Sequence, residues 1–134
     1  MQKKSIGKEP KIKQRGIKRF IKSFRYSWQG LKYAYLNEQS LSIHVFITLL
    51  VVTGGIYFQI TQTQWLFALM FIGLVMATEL INTAIEATID LVSPEYHELA
   101  KIAKDTASAA VGVFSLVALI GGLTIFLPEI FNLL

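Results

Sequence analysis

Glu79, Asn82 and Glu86 interrupt an apolar run that opens at Trp65 and continues to Ile89, and Asp90 stands at its end. At about 100° per residue the four fall within a helical arc of about 80°, so they form one polar stripe. An Asp at the centre of a membrane helix costs about 2.5–3.5 kcal/mol on insertion scales, which makes intramembrane acids functional candidates by default. Holding a bundle together is a poor explanation for them, because interhelical polar contacts contribute only about 0.6 kcal/mol each. Oxygen donors of this kind suit Mg²⁺, which is typically held by one or two carboxylates together with substrate phosphates and water. The chemistry they point to is phosphoryl transfer. Further along, Lys101, Lys104, Asp105, Ser108 and Gly112 share a comparable helical face, and two such stripes turned toward each other would neutralise one another.

The elements that must carry these stripes belong to a membrane protein. Of 134 residues 53% are hydrophobic and only 16% charged, and the mean hydropathy is +0.49. The length allows one domain. There is no cysteine, which excludes a disulfide scaffold, a Cys-ligated zinc site, an iron–sulfur cluster and thiol chemistry. Eleven of the thirteen basic residues lie between Lys3 and Lys32, and no formal charge occurs from Gln39 to Thr78 or from Thr106 to Pro128. The basic start is read as retained, since no short apolar run with a cleavage site follows it directly.

Three spans are expected, over about 40–60, 65–90 and 104–127. The first, Ser40 to Ile60, has 21 residues, enough at about 1.5 Å each to cross a core of about 30 Å. Thr61–Gln64 reads as a short polar turn and Trp65 as an interfacial anchor. Ser93-Pro94 reads as the N-cap and first position of the third helix, with Glu95 and Glu98 early in it, and Pro128 as its stop. Ahead of the spans, Ile17, Phe20, Ile21, Phe24, Trp28, Leu31 and Tyr35 recur at helical spacing while Lys18, Lys22 and Arg25 take other faces. This predicts an amphipathic surface helix over about 16–36, preceded by a disordered basic arm at 1–15. The positive-inside rule then puts the N-terminus, Lys101 and Lys104 on the cytoplasmic side and the C-terminus outside.

Other signals are weaker. His44 reads as a satisfied interfacial histidine, and Ser108, Gly112 and Ser115 as packing positions. No Walker A loop, G-x-G-x-x-G, H-E-x-x-H or triad-like arrangement is present. Nucleic acid is not expected as a partner. A small proton-coupled transporter using Glu79 is the rival reading from another class, and the apolar outer half of the spans argues against it.

The run Glu79-Leu-Ile-Asn82-Thr-Ala-Ile-Glu86-Ala-Thr-Ile-Asp90, then Glu95-Tyr96-His97-Glu98-Leu, then Ala103-Lys104-Asp105-Thr-Ala-Ser108-Ala-Ala resembles the prokaryotic integral-membrane diacylglycerol kinase family, which includes the undecaprenol kinases. Tyr26-Ser27-Trp28-Gln29-Gly30-Leu31 and Asn37-Glu38 are similar to its N-terminal region, and the likeness runs from about Arg19 to the end. The resemblance implies an all-α membrane protein, a homotrimer of three-span protomers each with a surface helix, in the bacterial cytoplasmic membrane. Its active sites would lie at the cytoplasmic face, shared between neighbouring chains. It implies transfer of the γ-phosphate of MgATP to the hydroxyl of a membrane lipid, within a kinase domain over 16–134. By resemblance Glu79 is the general base, and Glu38 and Glu86 are the Mg²⁺ ligands. Arg19, Tyr26, Glu38, Glu86, Glu95, Tyr96, His97, Lys104 and Asp105 match nucleotide contacts, and Glu79, Asn82, Asp90 and Ser108 match positions lining the substrate site. A carboxylate held away from bulk water is a stronger base, which gives the first of these roles a physical cause.

The lipid is the less determined part. His44, six residues after Glu38, replaces the acidic residue that Gram-negative diacylglycerol kinases resembling this chain carry, and the basic arm is longer than theirs. Both departures fit the Gram-positive branch, so undecaprenol is the expected acceptor and diacylglycerol the alternative.

Overall fold

A computed structural model describes residues 16–133; the arm expected at 1–15 lies outside the described residues. Four helices account for nearly all of them, α1 (Ile17–Asn37), α2 (Gln39–Tyr57), α3 (Gln62–Val92) and α4 (Glu98–Phe131), with no strand among the described residues. The last three are long and apolar enough to cross a membrane. At 31 and 34 residues, α3 and α4 extend to about 46 and 51 Å, well beyond the hydrocarbon thickness. Both therefore carry turns that project past the bilayer.

A single extended residue, Glu38 (φ −108°, ψ 113°), separates α1 from α2. Its N–H still bonds the Ala34 carbonyl at 2.8 Å, and the corner is sealed by Ala34 and Leu41, both buried. Helices α3 and α4 share the most extensive contact, α2 packs on α3, and α1 touches both α2 and α3.

The α2–α3 hairpin closes on a Schellman-type turn. Ile60 N–H bonds the Gly55 carbonyl at 3.1 Å and Gln59 N–H bonds that of Ile56 at 3.3 Å, with Gln59 held at φ 51°. Thr61–Gln64, expected as a connecting turn, instead forms the cap and first turn of α3. Thr61 Oγ1 accepts from Gln64 N–H at 3.3 Å while Gln64 Oε1 accepts from Thr61 N–H at 2.8 Å, a reciprocal capping box. Ile60 and Trp65 flank this box within a small core shared with Ala68, Ile125 and Phe126. The Trp65 ring lies so close over Gly55 that a Cβ there would sit 2.7 Å from it, so any side chain at this crossing would displace the ring.

Two further expectations are corrected. The helix that carries the third span does not begin at Ser93-Pro94: Ser93 closes α3, its N–H bonding the Ile89 carbonyl at 2.7 Å. Proline lacks the N–H to extend α3 and pushes the residue before it out of the helical region, so Pro94 acts as a stop. The true cap of α4 is His97, whose Nδ1 accepts from Leu99 N–H at 3.2 Å; Glu98 is in the first turn and Glu95 lies before it. Nor does α4 end at Pro128. It continues to Phe131, because a proline removes one donor but leaves the following residues free to bond the carbonyls behind them, as Asn132 N–H does to Pro128 at 3.1 Å.

Candidate active site

The polar stripe of α3 is buried in the bundle over its first half, while Glu86 is half-buried and Asp90 exposed. Glu79 is 3% exposed, and Asn82 and Thr83 are also buried. Facing Glu79 across the hairpin are two residues of one α2 face. Ser40 Oγ donates to Glu79 Oε2 at 3.0 Å, and His44 Nε2 lies 3.1 Å from Glu79 Oε1. One turn along α3, Asn82 Nδ2 donates to Glu86 Oε1 at 3.1 Å, while Asn82 Oδ1 is buried with no hydrogen-bond partner. Glu38 is the N-cap residue of α2 but makes no side-chain capping bond. Because α2 and α3 are antiparallel, Glu38 sits on the Glu86 side of the Ser40–Glu79 contact.

A second group forms where α3 passes into α4. A polar cleft of about 280 Å³ is lined by Asp90, Glu95, Tyr96, His97, Lys101, Lys104 and Asp105 among others. Lys104 Nζ bonds Asp90 Oδ1 and thereby joins the two stripes. Asp105 turns to its own helix instead, accepting from Lys101 Nζ at 2.8 Å. That hydrogen bond, and the negative charge behind it, hold the Lys101 ammonium above its usual range.

The sequence-derived residues thus fall into two clusters. Glu79, Asn82 and Glu86 gather beside α2, and Asp90, Glu95, Tyr96, His97, Lys104 and Asp105 gather at the α3–α4 junction. Arg19 and Tyr26 on α1 and Ser108 on α4 are exposed, and neither cluster includes them. Ser40 was not singled out from sequence, and His44 was read as an interfacial residue. A signal for both existed: Glu79 and Leu41 are each 19 residues from Ile60, so an antiparallel hairpin brings the residues around Leu41 level with Glu79.

Mg²⁺ fits the donor set. No group of three or more His, Asp or Glu side chains able to hold a metal occurs among the described residues. Mg²⁺ usually takes one or two carboxylates, with phosphate and water as its other ligands. Glu86, the unpartnered Asn82 carbonyl oxygen and the uncapped Glu38 carboxylate are hard oxygen donors of the required kind.

Comparison with known proteins agrees with this chemistry. The sequence profile described as prokaryotic diacylglycerol kinase matches residues 25–126. The chain is 37% identical to the undecaprenol kinase of Bacillus subtilis over 85% of its own length and 93% of that protein. It is 39% identical to a diacylglycerol kinase of Synechocystis over 84% of its length and 65% of that protein. Against the diacylglycerol kinase of Escherichia coli the identity is 38%, over 78% of this chain and 86% of the other. The transporter reading falls with these matches. Three membrane-length helices, a buried carboxylate and a matched profile lead to one assignment: the chain belongs to the prokaryotic diacylglycerol kinase family and is a multi-pass, ATP-dependent lipid kinase.

Proposed function

We propose that the enzyme transfers the γ-phosphate of MgATP to the hydroxyl of undecaprenol, giving undecaprenyl phosphate and ADP at the cytoplasmic face of a bacterial membrane. The observation that carries the mechanism is the environment of Glu79, a buried carboxylate at the inner end of an apolar bundle, with the Ser40 hydroxyl donating to Oε2 and the His44 ring nitrogen 3.1 Å from Oε1. The likeness to the Bacillus undecaprenol kinase, which extends over 93% of that protein, supports the choice of acceptor.

In this reading the Glu79 carboxylate takes the proton of the lipid hydroxyl. The lipid oxygen forms its bond to the γ-phosphorus as the bond from that phosphorus to the bridging oxygen breaks, and ADP departs. Glu38 and Glu86 would hold Mg²⁺, which would neutralise phosphate charge there. Lys104 exchanges Asp90 for phosphate oxygens, and Tyr96, His97, Glu95 and Asp105 line the nucleotide cleft. Asn82 holds Glu86 in place, and Asp90 lines the acceptor side. Phosphoryl transfer asks a protein mainly for positioning and charge neutralisation, so this set suffices without a P-loop.

Arg19, Tyr26 and Ser108 join the site in a homotrimer, where a neighbouring chain can meet them. Support for assembly comes from the placement of these three residues, which are exposed and outside both clusters of the single chain. Helix α1 would then lie along the inner membrane surface, with Phe20, Phe24 and Trp28 toward lipid and its Lys and Arg toward headgroups. Purified protein assayed with MgATP and either undecaprenol or diacylglycerol in mixed micelles tests the acceptor. Undecaprenol should give the higher kcat/KM; a clear preference for diacylglycerol would overturn that choice.

A further inference from the structure

We propose that His44, together with Ser40, is a positioning residue that fixes the plane of the Glu79 carboxylate for proton abstraction. The proposal rests on Glu79 being the base. A Glu side chain has three rotatable torsions, and the last is broad, so burial alone does not aim its oxygens. Here both oxygens are approached from one helix face. Ser40 and His44 are four residues apart on α2, and each supplies one contact, at 3.0 Å to Oε2 and 3.1 Å to Oε1. The ring nitrogen is at ion-pair distance from Oε1, and both the Nε2-protonated neutral imidazole and the imidazolium carry a proton on that nitrogen.

An ionised carboxylate offers about four lone-pair sites, so two donors leave it capacity to accept a substrate hydroxyl. The side chain of Glu79 is 4% exposed and that of His44 20%. His44 also lines an apolar cleft of about 480 Å³ between α2, α3 and α4 that runs by Thr48 and Val51 to Phe126. It therefore stands between the buried base and the apolar interior. Misplacing a reacting group by about 1 Å can slow a reaction about 100-fold, so loosening this clamp should act on turnover.

The test compares His44→Leu, His44→Gln and Ser40→Ala with the parent enzyme in micelles, measuring kcat and the KM for MgATP. Leu fills similar space without a donor, whereas the Gln amide restores one. His44→Leu is expected to lower kcat about 10- to 100-fold with KM for MgATP within about threefold. His44→Gln should recover most of the loss, and Ser40→Ala, the mildest change, should give a smaller fall of the same kind. A His44→Leu enzyme with normal kcat overturns the proposal, as does equal impairment of Leu and Gln, which would mean that ring shape rather than the donor matters. If His44→Leu fails to fold, Ser40→Ala with unchanged kcat overturns the two-point clamp. The base assignment is read separately from Glu79→Gln: a silent clamp beside an inactive Glu79→Gln enzyme removes only the positioning role.

Discussion

Replacing Glu79 by Gln exchanges one carboxylate oxygen for an amide nitrogen of nearly the same size, so packing around α3 is preserved. What changes is the hydrogen-bond arithmetic. In the parent, Ser40 Oγ and His44 Nε2 each approach a carboxylate oxygen. The amide has one acceptor and one NH₂. Its oxygen can stay with His44 while its nitrogen donates to Ser40, whose hydroxyl accepts as readily as it donates. The fold should therefore lose about 1 kcal/mol or less, within the range of one rearranged neutral hydrogen bond. The chemistry loses its proton acceptor, and general-base catalysis is worth about 10²–10⁴-fold, or about 3–5 kcal/mol of barrier. The assay is ADP release at saturating lipid and MgATP, with the unfolding temperature in detergent measured in parallel. A fall in kcat of about 100-fold or more with KM for MgATP within a few-fold is expected. A variant turning over within threefold of the parent would refute the reasoning.

Three other perturbations read other parts of the structure. Glu86→Ala should raise the Mg²⁺ concentration for half-maximal rate by about tenfold or more, the equivalent of one lost charged contact; an unchanged Mg²⁺ titration would count against Glu86 as a ligand. Lys104→Met should raise the KM for MgATP about 10- to 100-fold. It should shift stability by less than about 1 kcal/mol, because its Asp90 partner is 66% exposed, and an unaltered KM would remove Lys104 from the nucleotide cleft. Gln59→Gly should raise the unfolding temperature, since a non-glycine residue at φ 51° carries about 1–2 kcal/mol of left-handed strain and the added chain entropy of glycine offsets only part of it. A lower unfolding temperature would show that Gln59 contributes contacts outweighing that strain.

The site was legible wherever one helix determines the answer. Glu79, Asn82, Glu86 and Asp90 share a face because of helical period alone, and Lys104 meets Asp90 because two polar faces in an apolar bundle turn toward each other. Relations that depend on register between helices were harder to read. His44 looked like an ordinary interfacial histidine until the Gln59–Ile60 turn set it opposite Glu79. Local signals also competed. Ser93-Pro94 has the composition of a helix start, yet the same proline serves as a stop for the helix before it, and the weaker capping residue His97 opens α4. Glu38 is a further case. The antiparallel α2–α3 hairpin brings it to the Glu86 end of the bundle, but the one-residue break between α1 and α2 that holds it there has no local sequence signal.

The hairpin register also limits how such a sequence can drift in length. One residue inserted in α2 between His44 and Tyr57 would shift Ser40 and His44 by about 1.5 Å and swing them about 100° around the helix axis, off Glu79 altogether. Homologues that keep this pairing should vary in length before Gly16, after Phe131 or between Ser93 and His97, while the segment from Ser40 to Glu79 admits gaps only as matched pairs on the two arms.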